Sequence, residues 1–472
     1  MSAEHNFHRT ADHLGRTFLI AAVWLAGALM VPADTHYVSL SGTNDSAGGY
    51  TNWAGAATQI QWAVDAAVNG DIVLVSNGTY YLTNEIIVTN AITLQSVNGR
   101  DYTFIDGNYP AYSNRCMLLS DTNGNAVIDG FTMSNGYVVA TSAGGVLMYG
   151  GTLRNCRIYN NYGDYGGGLS MINVLTYYVK QFVLDCIIIS NRSGASAYWG
   201  GASCDSRSNA RSDGYISNCV FSYNTTTSTR DSAPGGLSVG QKPIFNSEIS
   251  SNTGPIGGFY SGWYSDTIDN CKIIGNQGTV CGGASLTRGY TWRMKNCLIY
   301  GNRATTGPGG MRILLGTTYP ITQYLRNCVI VSNYTASLTN TGGIYFYGGA
   351  TNDSVACYNS IVYYNTSGSA NSNVFNGNLT NIFVQNCCIG MTNGALWPST
   401  NINNVIYADP LLLDLPAGNC RLDSKSPCIN AGYYESWMAT GVDLDDRSRI
   451  RYGTVDLGAF EFIRSGAVYG FH

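Results

Sequence analysis

Asn327-Cys328-Val329-Ile330-Val331-Ser332-Asn333 is one of nine versions of a single phrase, Asn-Cys-x-Ile-x-x-Asn. The copies begin at Asn155, Asp185, Asn218, Asn246, Asn270, Asn296, Asn327, Asn359 and Asn386. Their mean step is about 29 residues, a solenoid period. The second position is Cys in all copies but two, where it is Ser247 and Ser360. The seventh is Asn in the first eight copies, from Asn161 to Asn365. A Gly-Gly pair precedes each of those eight at a variable distance, as at Gly144-Gly145, Gly282-Gly283 and Gly342-Gly343.

Each repeat carries three short apolar beats. One comes after Gly-Gly (Met311-Arg312-Ile313), one ends just before the Asn (Leu325), and one is the Cys-x-Ile step itself. Alternation of period two predicts strands rather than helices. Strands of about three residues cannot stand alone. Stacked on their equivalents in neighbouring coils, about 4.8 Å away, they can. The spacing therefore predicts a single-stranded parallel β-helix, a solenoid of three sheets around one apolar core. Leucine-rich repeats need a Leu-x-x-Leu-x-Leu frame and calcium β-rolls a Gly-Gly-x-Gly-x-Asp nonapeptide, and neither occurs.

The phrase assigns roles within a coil. The first Asn is expected at a bend that needs left-handed backbone, and its stacked copies form an amide ladder. The Cys position faces inward and takes only small residues, so its thiols are expected buried and unpaired. Disulfide candidates lie outside that column, Cys420 with Cys428 and Cys204 with Cys281. Gly-Gly is expected to make a turn closed to residues with a Cβ.

Only 11% of residues are charged, and the net charge is −4. Charged residues are usually about a quarter of a chain. With no basic patch, nucleic acid is not an expected partner. Abundant Tyr (34) and Asn suit neutral, hydroxyl-rich ligands. Phe18 to Val31 is an uncharged apolar run preceded by Arg9 and Arg16 and followed by Val31-Pro32-Ala33. It reads as a secretory signal peptide over 1–33, with a mature chain lacking any membrane span and placed outside the cell or on its surface.

The mature chain divides into four segments. Residues 34–110 form an N-terminal cap and first coils. Within them Ala54–Asn69 has Ile60, Ala63, Val64 and Ala67 at helical spacing, a capping helix for the solenoid's open end. Residues 111–395 hold the regular coils, 396–461 a C-terminal closing module, and 462–472 a short tail.

The run IQWAVDAAVNGDIVLVSNGTY (60–80) resembles the opening of bacterial pectin lyase-like, right-handed β-helix proteins. Near the C-terminus come Asp409-Pro410-Leu411, Arg421-Leu422, Ser426-Pro427-Cys428-Ile429-Asn430-Ala431-Gly432, Asp443-Leu444-Asp445-Asp446-Arg447 and Asp456-Leu457-Gly458-Ala459-Phe460-Glu461. That order resembles the choice-of-anchor Q domain of bacterial surface and secreted β-helix proteins. Cys428 and Asn430 stand where the family has Ala and Asp. The resemblance implies an extracellular place and no particular reaction.

Histidine-dependent hydrolysis is disfavoured. His5, His8 and His13 precede the expected cleavage point, and His36 and His472 sit near the two ends of the mature chain. No Gly-His-Gly segment occurs. A β-elimination lyase acting on uronic-acid polymers stays open, because it needs only a cation and a Lys or Arg base. Asp269, Lys295 and Arg326 are expected to stack on one outward face, as a solvated charge ladder or as such a base. Asp443, Asp445 and Asp446 are expected to pair with Arg447 and Arg449 rather than hold a structural calcium, so no cofactor and no metal site is assigned.

The candidate binding residues are aromatic. Tyr260, Trp263, Tyr264, Tyr290, Trp292, Tyr345 and Tyr347 fall in or just after the first strand of successive coils, with Arg288 and Arg312 beside them. Aromatic faces stack on sugar rings, and guanidinium groups hold carboxylates or sulfates. The expected role is contact with a polysaccharide or cell-surface glycan along one lateral face. The alternatives are the lyase and a structural adhesin without glycan specificity. Catalytic residues are not identifiable from the sequence.

Overall fold

The computed structural model describes residues 33–464, except 122, 174–178, 196–198, 206–212, 241, 263–266, 288–290, 317–321, 349–352, 378, 380 and 393–400. The leader-like run Phe18–Val31 lies outside the described residues, as does the tail from 465. Among the described residues no helix is long and apolar enough to cross a membrane.

The repeats build a parallel β-helix. One coil shows the plan. After Gly282-Gly283, Ala284–Thr287 forms face 1. Arg293–Lys295 forms face 2, Asn296 bends the chain, and Leu298–Tyr300 forms face 3. Each strand pairs in parallel with its counterpart one coil on, as in Met294↔Leu325 and Ile299↔Ile330. Faces 2 and 3 belong to one folded 25-stranded sheet, and face 1 is an 11-stranded sheet. A third sheet of eight very short strands, such as Arg303–Ala304, comes after the seventh-position Asn. The sequence pattern does not announce that run, because two residues carry no periodicity.

The two recurrent Asn positions divide the labour differently from expectation. The first holds φ between 48° and 55° in all nine copies, Asp185 included. It makes the bend, and from coil to coil its side chains bond only between Asn218 and Asp185, too little for a ladder. The amide ladder runs through the buried seventh position. Asn302 Nδ2 donates to Asn333 Oδ1 at 2.9 Å, and the same oxygen takes the Asn302 backbone N–H at 2.9 Å. The chain of bonds continues from Asn161 to Asn365, which bonds to Asn373, and the Thr392 hydroxyl accepts from Asn373 N. Only the seventh residue points inward, where an unpaired amide would be costly.

The Cys column also acquires a reason. Each thiol donates to the carbonyl two residues earlier, as from Cys297 to Lys295 O at 3.1 Å and from Cys186 to Leu184 O at 3.1 Å. Ser247 and Ser360 make the same bond, to Phe245 O and Tyr358 O. That carbonyl also takes the first-position backbone N–H of the preceding coil, as Lys295 O does from Asn270 N, so the small donor fills its second lone pair. Burial and neighbouring thiols push the Cys186 and Cys297 thiols well up, so they stay protonated. All fourteen cysteines are buried, and neither expected pair, Cys420 with Cys428 or Cys204 with Cys281, forms a disulfide. Gly-Gly answers coil-to-coil approach rather than turn geometry. A Cβ on Gly282 would meet Gly309 O at 2.2 Å, and one on Gly283 would meet Gly310 O at 2.4 Å.

The helix Ile60–Ala66 buries Ile60, Ala63 and Val64 against the first coils. Its Gln61 acts as a strand surrogate for the first strand of face 1, Ile86–Val88. Gln61 Oε1 accepts from Ile87 N at 2.7 Å, and Nε2 donates to Ile87 O at 3.1 Å. One amide thus satisfies an edge that would otherwise stay open.

The C-terminal module lies along the side of the late coils. Outward residues of face 3 change from Glu248 and Lys272 to Leu298, Val329, Ile361 and Cys388. This strip packs on Cys420, Leu422, Cys428, Leu457 and Phe460 in a second apolar core. First-position asparagines fasten it, with Asn296, Asn359 and Asn386 donating to the carbonyls of Val442, Tyr433 and Ala431.

Candidate functional site

Face 1 presents two outward columns. Backbone register aligns Tyr260 with Ser285, Ser285 with Arg312, Arg312 with Tyr345, and Tyr345 with Phe375. The second column aligns Thr287 with Leu314 and Leu314 with Tyr347. Alternation leaves Ile344 and Phe346 in the core and turns Tyr345 and Tyr347 outward.

The late coils carry a platform of rings. Tyr345 and Phe375 stack with centroids 5.3 Å apart and planes 7° apart. Tyr345 and Tyr347 are 6.4 Å apart with planes at 9°. The three rings are near-coplanar in orientation, and Tyr347 is 48% exposed and Phe375 40%. Gly377 makes room for them, since a Cβ there would meet Tyr347 Cδ2 at 3.1 Å and Tyr345 Oη at 3.2 Å. Burial, with Tyr347 second, raises the Tyr345 phenol, which therefore stays neutral and able to donate. Phe375 carries no polar signal in the sequence and only register brings it in.

Arg312 and Tyr260 are held more tightly. Arg312 Nε donates to Ser285 Oγ at 2.7 Å and Nη2 to Asp231 O at 2.7 Å, which lays the guanidinium back over earlier coils. Tyr260 folds toward Gly262, and its hydroxyl accepts from Thr287 Oγ1 at 3.0 Å. Trp263, Tyr264, Arg288 and Tyr290 lie outside the described residues. Trp292 is corrected: it is 3% exposed and belongs to the core. It stands two residues before the inward Met294, so alternation turns it into the corner between faces 1 and 2 and away from any polymer.

The residues considered for base chemistry are occupied elsewhere. Asp269, Lys295 and Arg326 do stack in register. Lys295 pairs with Asp269 at 2.8 Å and lies over the Trp437 ring at 4.2 Å. Arg326 pairs with Glu435 at 3.0 Å and covers the Tyr324 ring. These cations dock the C-terminal module. Lys242 has its pKa pulled down to about 8 by burial, against the opposite pull of Cys204 and Asp213. It is 1% exposed, so its amine is withheld from a polymer.

The acidic cluster is likewise structural. Asp443 accepts from the backbone of Asp445, Arg447 and Glu461. Asp445 pairs with Arg421 and Arg447, and Arg449 with Glu461. Among the described residues no group of three or more His, Cys, Asp or Glu is arranged to hold a metal ion.

No family model and no curated protein matches the chain. Among solved structures the chain is similar to the pectate lyase Pel9A, at 15% identity and TM-score 0.47, covering 91% of this chain and 97% of that one. It is similar to XylC in complex with xylose, at 8% identity and TM-score 0.48, covering 91% and 98%. It is also similar to the PL6 family alginate lyase AlyGC, at 12% identity and TM-score 0.46, covering 77% of this chain and 54% of that one.

Proposed function

We propose that the protein is an extracellular or cell-surface β-helix that holds a polysaccharide chain against the outer side of face 1. The observation that carries this reading is the parallel arrangement of the half-buried Tyr345 with the exposed Tyr347 and Phe375. A rigid solenoid has no packing need for two exposed aromatic rings aligned with a third, and flat apolar faces with hydroxyl edges suit pyranose rings. Arg312 adds one cation to the same column. Arg312 is engaged by Ser285 Oγ and Asp231 O, and from Tyr260 to Phe375 neither column contains a carboxylate or a lysine, which favours binding over elimination.

Affinity electrophoresis through gels containing polygalacturonate, alginate, xylan or β-glucan tests it. Wild type should be retarded by at least one polymer. Tyr345→Ala and Phe375→Ala should each weaken retention about threefold to tenfold, the worth of about 0.5–1.5 kcal/mol per lost stacking contact. A Tyr345→Ala/Tyr347→Ala/Phe375→Ala variant retarded like wild type by every polymer would overturn the reading. So would unsaturated uronate products released from the polygalacturonate or alginate, which would make the protein a lyase.

A further inference from the structure

The N-terminal cap encloses a second cavity that the tyrosine platform does not use. It measures about 440 Å³ and lies between the cap helix Ile60–Ala66 and the strand Gly78–Tyr81 with the turn after it. Ligand sites commonly occupy roughly 300–1,000 Å³. Trp62 and Tyr81 stand on its rim, 38% and 68% exposed. Neither ring belongs to the buried core. The helix buries Ile60, Ala63 and Val64, and its outward Trp62 contributes nothing to that face. Tyr81 alternates outward from the buried Tyr80. Two aromatic residues from different elements thus flank one hollow.

The polar lining is uncommitted. The side chains of Gln59, Thr79, Thr83 and Asn84 line the cavity and make no hydrogen bond among the described residues. Asp65 engages Gln61 through Oδ1 alone. Glu85 meets Arg115 through Oε2 at 2.6 Å. Each carboxylate therefore keeps an oxygen for an incoming hydroxyl.

Charge decides what kind of sugar fits. The nearby cation, Arg115, lines an adjoining hollow, and each of its three nitrogens donates, to Glu85 or to the carbonyls of Ser142 and Ala143. Glu85 and Arg115 cancel, which leaves Asp65 uncompensated. The site therefore repels carboxylate and sulfate groups and welcomes hydroxyl donors. A second hollow of about 540 Å³ shares Asn84 and Glu85 with the first and continues past Ile87 to Asn114 and Thr141. The joined grooves accept a chain rather than a single ring.

We infer that the N-terminal cap carries a binding site for a neutral oligosaccharide, stacked on Trp62 and Tyr81 and hydrogen-bonded through Gln59, Asn84 and the free oxygens of Asp65 and Glu85. It extends the glycan reading to a second site and does not depend on the platform at Tyr345.

Isothermal titration of the full chain with cellohexaose, xylohexaose, mannohexaose and hexagalacturonate tests the inference. At least one neutral hexasaccharide should bind, and hexagalacturonate should not bind at this site. Trp62→Ala and Tyr81→Ala should each weaken the neutral ligand tenfold or more while leaving the thermal unfolding midpoint unchanged. The Tyr345→Ala/Phe375→Ala variant should bind it as wild type does. Absence of binding by all three neutral probes, or wild-type affinity in both cap variants, overturns the cap site and leaves the platform reading standing. Loss of the neutral ligand only in the Tyr345→Ala/Phe375→Ala variant places the sugar on the platform and also overturns the cap site. Binding of hexagalacturonate that Trp62→Ala abolishes overturns the charge argument.

Discussion

Asn302 shows how much of the fold rests on single amides. Its Oδ1 accepts from Asn276 N and Nδ2, while its Nδ2 donates to Ile273 O at 2.8 Å and to Asn333 Oδ1 at 2.9 Å. Asn302→Ala would leave the buried Asn276 N–H without its acceptor and remove one partner each from Asn276 Nδ2, which keeps Ile249 O, from Ile273 O and from Asn333 Oδ1. A buried group left without a partner costs about 1–3 kcal/mol. The variant is expected to lose on the order of 3 kcal/mol in urea unfolding. Cys297→Ser should cost far less, because Ser247 and Ser360 already fill that column with the same bond. Equal losses for the two variants would show that the ladder is ornamental. The contrast is half legible in the sequence. Both Asn positions recur in the phrase, but recurrence alone does not say which side chain points inward. That becomes clear once the bend at the first Asn is known, since the left-handed residue shifts the alternation.

At the scale of elements, legibility tracks periodicity. The cap helix, the stacked strands and the Cys column repeat or alternate, and the residues announce them. Trp292 reads as a surface ring only by its nearness to Gly-Gly. Counting back by twos from Met294 puts it inside. The docking of the C-terminal module joins residues far apart in the chain, and the repeat marks at most which coils are covered, not which residues cover them. Its buried centre makes a pH prediction. Burial raises the Glu461 carboxyl to about 8, with Arg449 opposing and Asp456 adding to the shift. Burial also raises Asp456. A raised folded-state pKa means that folding favours the protonated form. The stabilising contribution is full below about pH 4.5, the unfolded value, and is lost as pH rises through about 8. The window is worth on the order of a few kcal/mol. The thermal midpoint should therefore fall between about pH 5 and about pH 8. Glu461→Gln, fixed in the neutral form, should flatten that slope, and an undiminished slope in the variant would assign it to other groups.

For the whole molecule, the solenoid and its C-terminal module are one folding unit rather than a scaffold with an appendage. The signal lies at the third residue of the repeated phrase. Early coils mix Arg157, Ile187, Val220, Glu248 and Lys272 there, all part-exposed, while the late coils put only apolar residues, Leu298, Val329, Ile361 and Cys388, all buried. A solvent-facing β-helix surface has no reason to become apolar over four coils unless something covers it. The cover is the chain after the last solenoid strand, Asn401–Ile406. A chain ending at residue 406 would expose the strip, strand the Asn296, Asn359 and Asn386 amides, and take Glu435 from Arg326 and the Trp437 ring from Lys295. It is expected to bind the dye ANS strongly, to self-associate on size exclusion, and to unfold at a lower temperature than the full chain. Replacing Val329 by Lys in the full chain should reproduce part of this, since a lysine there would enter the second apolar core beside Leu457. A truncated chain that stays monomeric, ignores ANS and melts like the full protein would mean that the module rests on the coils without stabilising them. The late-coil switch to apolar residues alone would then need another explanation. The glycan platform gives the test a second reading. Tyr345 and Phe375 stand on face 1 and the module covers face 3 of the same coils. Loss of glycan retention in the truncated chain, alongside the lowered midpoint, would show that the module keeps the platform's coils in register.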